Sequence, residues 1–549
     1  MENDMTPIIR TILILTACVG LAWAPVPACT NFIVTKGASA DGSVMITYSA
    51  DSHTLYGQLN FIPGGRHIEG SLIDVIDDDS QKYVGKIRQV AETFTVVGLM
   101  NEHQVAIGET TYGGREELVD PKGGIDYTSL MNVALQRART AREAVRIMGA
   151  LVAEYGYFSS GETFSISDPQ EAWIMDMIGK GKENKGAVWV ALRVPDGYVC
   201  AHANQARIRQ FPLNDPENCL YAPDVISFAR EKGYFKGEDK DFSFADTYAP
   251  LDFGALRACE ARVWSFFRRV APSLNLPIDY VKGIPGATPL PLWIKPDQKL
   301  SVRDLMELMR DHFEGTEFDL SVGVGAGPYK LPYRWRPMTF EVDGVKYVNE
   351  RSVGTQQTGF SFVAQSRSWL PGPIGGIFWF GVDDTASTVY TPMYCGLRAV
   401  PTSFAAGTGD FNAFSWDSAF WVFNFVSNYT YSRYCDMIQD VQTVQRELEG
   451  AFIAQVPEVD KAALALHQQS PELAREYLTR YSVDQGEMVV RRWRKLGEFL
   501  IWKYLDGNVR DSQGNVTHPG YPADWYRRIA EERGEVLKVR PLPGEKSSH

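Results

Sequence analysis

The stretch WAPVPACTNFIVTKGASADGS, Trp23 to Ser43, sets an apolar leader directly against a cysteine that opens a strand-rich segment. Val26-Pro27-Ala28 puts small residues at the two positions a signal peptidase inspects. Upstream, Arg10 supplies a positive charge and Thr11 to Trp23 an apolar run too short to span a bilayer. Residues 1–28 therefore read as a signal peptide removed after Ala28, and the chain as exported to the periplasm or beyond the cell. Glu2 and Asp4 are unusual in such a leader, whereas MTPIIR from Met5 makes a cleaner start, so both Met1 and Met5 stand as candidate starts. After the cut, TNFIVT (Thr30 to Thr35) reads as a strand, KGASADGS as a turn and VMITY (Val44 to Tyr48) as a second strand. Cys29 thus begins a buried hairpin.

Cleavage changes the chemistry of that cysteine. Its nitrogen becomes an α-amine with a reference pKa of about 7.7 to 8.0, against about 8.5 for the thiol. About a tenth of such amines are unprotonated at neutral pH. The amine can take the thiol proton directly or through one water and return it to a leaving amine, so that one residue supplies nucleophile and base. Asp51, at the end of the hairpin, is placed to bind the ammonium form or to serve as a solvated turn residue. Two other readings of Cys29 remain open: an incidental cysteine past a cleavage point, or a lipidated residue in a degenerate lipobox, which would make the chain a surface lipoprotein.

Composition narrows the class. The chain of 549 residues is 44% hydrophobic and 22% charged, ordinary globular values, and its formal charge of −12 comes without a long basic run. That balance argues against nucleic-acid partners. Outside the leader no stretch reaches about 18 uninterrupted apolar residues, so no integral membrane span is expected. Aromatic residues, 12% of the chain, are expected mostly in the core, with the remainder walling a cleft. Of the seven cysteines, Cys18 leaves with the leader and Cys29 is reserved. Cys200, Cys219, Cys259, Cys395 and Cys435 form no CxxC pair, which speaks against a disulfide framework or a zinc site. The eight histidines are scattered; only His202 lies near a cysteine, Cys200. No metal or organic cofactor is implied.

The opening CTNFIVTKGASADGS, followed by a strand and Asp51, resembles the bacterial dipeptidase A family. These are cysteine peptidases related to secernins and, more remotely, to penicillin V acylase and bile salt hydrolase. The resemblance continues through GLMNEHQVAIGETT (Gly98 to Thr111), AHANQARI (Ala201 to Ile208), ARVW (Ala261 to Trp264), SVRDLMELMRDHFEGTEFDL (Ser301 to Leu320), SRSWLPGPIGGIFWFG and VYTPMYCG, the last two within Ser366 to Gly396. It implies an α+β chain folded as the four-layer αββα sandwich of N-terminal-nucleophile hydrolases, acting on small peptides through Cys29. By the same resemblance Asn204, just after a strand at Tyr198 to His202, is the side-chain oxyanion donor, and a backbone N–H of Thr110 or Thr111 completes the hole. The relatives also place an arginine at Arg262. There a guanidinium would lower the thiol pKa, while Val263, Phe266 and Phe267 face the core and Arg262 faces elsewhere.

Periodicity fills in the architecture. Asp126 to Glu154 predicts a helix with Leu130, Val133, Ala134, Ala141, Val145, Met148 and Leu151 on one face, and Val302 to Phe313 a second; strands are predicted at 162–167, 171–177 and 188–194. From about Tyr431 the chain turns polar and helical and closes in a Pro/Gly-containing tail after Tyr521. The organisation expected is a leader (1–28), a catalytic domain (29–430) and a helical C-terminal extension (431–549) that packs on the catalytic domain or joins copies in a homo-oligomer. NYT at Asn428 and NVT at Asn515 are short glycosylation sequons.

These readings lead to amide hydrolysis by an exported cysteine dipeptidase. A sister amidase acting on N-acyl amino acids, penicillin V or bile-salt conjugates would use the same nucleophile with a different pocket.

Overall fold

The hairpin that begins at Cys29 frames the molecule. In the computed structural model, which describes residues 29–76 and 83–540, Asn31–Val34 and Val44–Asp51 are adjacent antiparallel strands with Ile33 opposite Ile46. The leader 1–28, with Cys18 and both candidate start methionines, lies outside the described residues. Every residue of both strands is buried, as expected for strands covered on both faces.

Around this hairpin grows a seven-stranded antiparallel sheet. Its order is Trp293–Ile294, Val199–His202, Asn31–Val34, Val44–Asp51, Thr358–Ser366, Gly376–Val382, Thr391–Tyr394. A second, eight-stranded sheet runs Cys219–Tyr221, Ala187–Arg193, Ala172–Gly179, Gly161–Ser167, Ala106–Tyr112, Met100–Asn101, Val96–Val97, Phe61–Ile62. The predicted strands at 162–167, 171–177 and 188–194 lie at its centre, shifted by a residue or two at their ends. The Ala106–Tyr112 strand lies against Asn31–Val34 and Val44–Asp51, so the sheets stack face to face. Gly108 permits that approach. A β-carbon there would stand 2.5 Å from Asn31 Oδ1, and its absence lets Asn31 Nδ2 donate to the Glu109 carbonyl at 2.5 Å.

Helices cover both outer faces. Tyr127–Leu135 and Ala141–Tyr155 lie on the eight-stranded sheet; Ala261–Val270, Val302–Leu308, Ala419–Tyr431, Tyr434–Gln469 and Pro471–Lys503 lie on the seven-stranded one. The architecture is an αββα sandwich. Its core takes in the fully buried rings of Trp173, Trp379 and Trp493.

Several elements differ from the sequence reading for identifiable reasons. The helix predicted from Asp126 to Glu154 is two. Asp126 caps the first through Ser129 N at 2.8 Å, and Thr140 caps the second through Glu143 N at 3.2 Å. Between them Asn101 Nδ2 satisfies the Leu135 and Ala138 carbonyls at 2.7 and 2.8 Å, fixing the break. The helix predicted from Val302 to Phe313 stops at Leu308. Beyond it Arg310 turns inward to Glu449 at 2.5 Å, Asp311 accepts from Ser265 at 2.6 Å, and Phe313 takes φ +65°, which no α-helix accommodates.

The boundary expected between 430 and 431 falls inside the Ala419–Tyr431 helix, and the helices that follow form the outer layer of the seven-stranded sheet. The tail after Tyr521 includes a helix, Ala523–Leu537, none of whose residues is fully buried. All six described cysteines are free thiols. Among the described residues no helix is long and apolar enough to cross a membrane.

Candidate active site

Strand register brings the first two site residues together. Asn31 pairs with His202 in an antiparallel ladder, and the same register carried outward sets Cys29 across from Asn204. The Cys29 nitrogen donates to Asn204 Oδ1 at 2.8 Å. Asn204 holds φ +54°, a left-handed conformation that asparagine tolerates better than most residues and that is enriched at functional sites. Its Nδ2 donates to the Thr111 carbonyl at 2.5 Å.

That bond separates the two candidate threonines. Ile107 N–H bonds the Leu99 carbonyl, on the edge of its strand away from Gly161–Ser167. Backbone groups alternate along a strand, so Glu109 and Thr111 turn toward the same edge. Their carbonyls accept from Asn31 and Asn204 there. The Thr111 backbone faces the Cys29 side; the Thr110 backbone faces the ladder, where it pairs with Thr163. The Thr110 hydroxyl meets His202 Nδ1 at 2.8 Å, and Ser165 takes the other ring nitrogen at 2.7 Å. Burial drives the His202 pKa well down, so this ring is a neutral tie between the sheets.

Arg262 is fully buried and directed into the site, on the side of its helix that reaches Cys29. A turn of π-helix, Ala255–Glu260, immediately precedes its helix, and Arg262 Nε bonds back to the Ala258 carbonyl at 2.7 Å. Its Nη1 donates to the Cys29 carbonyl at 2.6 Å and Thr30 Oγ1 at 2.9 Å, and its Nη2 to Asn204 Oδ1 at 2.9 Å. The guanidinium clamps the Cys29 backbone and the Asn204 amide together.

A different set of groups surrounds the sulfur. Tyr48 Oη and Glu109 Oε1 each lie 3.8 Å from Cys29 Sγ, and the Tyr48 hydroxyl donates to Glu109 Oε1. Phe360 and Phe362 hold the Tyr48 ring edge-on. Burial pushes the Cys29 thiol pKa well above its ordinary value, and the charges of Glu109 and Asp51 push it further, against smaller lowering by the Asp51 N–H and the Tyr48 hydroxyl. This corrects the role expected of Arg262: its hydrogen bonds go to carbonyl, hydroxyl and amide oxygens, and the sulfur lies toward Tyr48 and Glu109.

Asp51 also departs from expectation. Its carboxylate accepts from Thr358 Oγ1 at 2.7 Å and pairs with Arg351 at 3.3 Å, while the Cys29 nitrogen goes to Asn204. Burial raises the Asp51 carboxyl pKa despite those partners, and burial together with Arg262 lowers that of the Arg351 guanidinium to about 10. Tyr48, Glu109, Arg351 and Thr358 escape a reading of the sequence. Tyr48 looks like strand core; Arg351 is 300 positions from Asp51. The acidic residue interrupting the β-rich run AIGETT is the one signal that Glu109 offers.

Cys29 itself is 2% exposed. A cavity of about 910 Å³ lined by Gln205, Arg207, Glu260, Tyr280 and Trp293 does not include it. Among the described residues no cluster of His, Cys, Asp or Glu has the geometry to hold a metal ion.

Comparison with known proteins meets this geometry. Residues 69–447 match the profile of peptidase family C69. The chain belongs to peptidase family C69. The match takes in Thr110, Thr111, Asn204 and Arg262 and begins downstream of Cys29 and Asp51. This C69 member is 26% identical over 399 residues to a probable dipeptidase of Salmonella dublin, covering 69% of this chain and 83% of that one. It is 21% identical over 494 residues to probable dipeptidase B of Streptococcus pyogenes serotype M1, covering 86% and 93%. Penicillin V acylase from Agrobacterium tumefaciens is a more distant structural likeness, with 12% identity, 67% of this chain and 86% of that chain covered, and a TM-score of 0.29. Membership makes this C69 chain a peptidase of a cysteine-type family.

Proposed function

We propose that this chain is an exported dipeptidase whose nucleophile is Cys29, with the α-amine freed by removal of the leader as its base. The observation that carries the reading is the fixation of one residue at both ends. The Cys29 nitrogen is held by Asn204 and its carbonyl by Arg262, which leaves the sulfur pointing toward Tyr48 and Glu109. The dipeptide substrate class is taken from the names of the relatives.

In the mechanism the thiol proton passes to the α-amine as sulfur attacks the scissile carbonyl carbon. The resulting oxyanion is met by neutral donors, the Asn204 amide and the Thr111 N–H. Collapse breaks the C–N bond, and the leaving amine takes the proton from the Cys29 ammonium. Water then hydrolyses the thioester, giving its proton back through the same amine. Arg262 keeps the Asn204 oxygen occupied, which fixes which end of that amide faces the reaction.

Mass spectrometry of the mature N-terminus, combined with hydrolysis of a dipeptide panel and matched N-acyl amino acids, tests this. A free Cys29 terminus with dipeptide hydrolysis, lost in Cys29→Ser and in a form keeping one residue before Cys29, is the expected result. Full activity of the extended form would remove the amine as base, and a diacylglyceryl adduct on Cys29 would remove the hydrolase reading.

A further inference from the structure

The cavity of about 910 Å³ is walled by two segments that the candidate active site also uses. Gln205 directly follows Asn204, and Glu260, the last residue of the π-helical turn Ala255–Glu260, stands two positions before Arg262. The cavity therefore adjoins both segments that hold Cys29 without including it.

Part of its wall is fixed by Arg207. That guanidinium donates from Nε to Glu260 Oε1 at 2.9 Å, from Nη1 to the Ala201 carbonyl at 3.0 Å and from Nη2 to the Pro291 carbonyl at 2.9 Å. The pairing leaves Glu260 Oε2 over. Gln205 likewise gives its Nε2 to the Ala249 carbonyl at 2.6 Å and keeps Oε1. Among the described residues neither oxygen accepts a hydrogen bond, although Glu260 is only 4% and Gln205 only 6% exposed. Neither is among the fully enclosed polar atoms, so each opens onto the cavity that its residue lines. Buried acceptors in this state are stabilised by a donor that comes to meet them.

Arg209 brings the opposite chemistry to the same lining. Its Nε lies 3.8 Å from Asp246 Oδ1 and its Nη2 3.5 Å from Tyr280 Oη, both too long for strong hydrogen bonds. The planar fork that suits a carboxylate is thus little used. Leu251, Leu290 and Trp293 add apolar wall. Acceptors for an ammonium, a guanidinium for a carboxylate and an apolar surface together complement an amino-acid zwitterion.

We propose that this cavity is a second, non-catalytic site for a small α-amino acid zwitterion, with the ammonium on Glu260 and Gln205, the carboxylate on Arg209 and the side chain against Trp293. Free amino acids and short peptides share this chemistry. Calling them product and substrate rests on the dipeptidase reading above; the binding does not.

The test is calorimetric titration of Cys29→Ser, in which peptides are expected to stay intact, with leucine, leucinamide, N-acetyl-leucine and leucyl-leucine. Leucine is expected to bind about 10-fold tighter than leucinamide, which lacks the carboxylate, and than N-acetyl-leucine, which lacks the ammonium. Adding Arg209→Gln should remove the advantage over leucinamide and keep the advantage over N-acetyl-leucine. Arg209 is partly exposed, so its replacement spares the core, whereas loss of Glu260 would strand the buried Arg207; at the ammonium end the ligand is varied instead. Tighter Arg209-dependent binding of leucine than of leucyl-leucine supports the site with a free amino acid as occupant, and the reverse order supports it with a peptide. No binding of either compound overturns the inference. Binding that Arg209→Gln leaves unchanged also overturns it, since the ligand then lies elsewhere. Dipeptide hydrolysis by the wild type is read separately, and its absence sinks the dipeptidase reading alone.

Discussion

Arg262 meets Cys29 at the carbonyl oxygen, 2.6 Å away, while the sulfur lies toward Tyr48 and Glu109. The guanidinium therefore acts on position, holding the nucleophile's backbone and the Asn204 amide in one frame.

Arg262→Lys separates positioning from thiolate stabilisation. A lysine keeps the charge but cannot reproduce a planar fork that serves Cys29, Thr30 and Asn204 at once. We expect kcat to fall by about 10²-fold. The pH midpoint of iodoacetamide alkylation at Cys29 should stay where it is in wild type. A midpoint that rises by a unit or more would return Arg262 to the sulfur.

Asn204→Ala removes the acceptor of the Cys29 nitrogen and the amide that is the proposed oxyanion donor, and leaves alanine to hold a left-handed backbone. Loss of one oxyanion donor costs about 10²- to 10³-fold in kcat. Steady-state kinetics should show that loss in kcat, with KM shifted little. A change confined to KM would make Asn204 a substrate-binding residue.

Asp383 predicts a pH effect on stability away from the site. Burial raises its carboxyl pKa to about 7, although Asn424 Nδ2 donates to it at 2.8 Å and Ser427 Oγ at 2.5 Å. Between the ordinary carboxyl value of about 3.9 and that raised value, the folded chain binds more protons than the unfolded one, so this residue lowers stability as pH rises through that window. Asp383→Asn removes the titration, and asparagine suits the φ of +67° at this position. Melting temperatures from pH 4.5 to 7.5 should fall less steeply for Asp383→Asn than for wild type. Parallel profiles would mean the site does not titrate there.

The cut before Cys29 singles that residue out in the sequence, whereas Asn204 and Arg262 come forward through the resemblance carried by AHANQARI and ARVW. Their separate positions carry no information on which atom of one meets which atom of another. The same holds for helices: periodicity locates the apolar faces of 126–154 and 302–313, but the breaks at Gln136 and after Leu308 depend on Asn101 and Glu449, residues of other elements.

Local chemistry, written in consecutive residues, is what the sequence determined on its own: a cysteine behind a leader-like cut, the hairpin it opens, alternating strands and helix-forming stretches. The tertiary structure decided the electrostatics around the sulfur. Tyr48, Glu109, Asp51 and Arg351 act there through distances of a few ångströms between strands and loops far apart in the chain, and burial together with neighbouring charges moves the proton affinities of Tyr48, Asp51 and Arg351. No spacing pattern encodes such proximity, because strand register and sheet stacking are settled by the packing of the whole core.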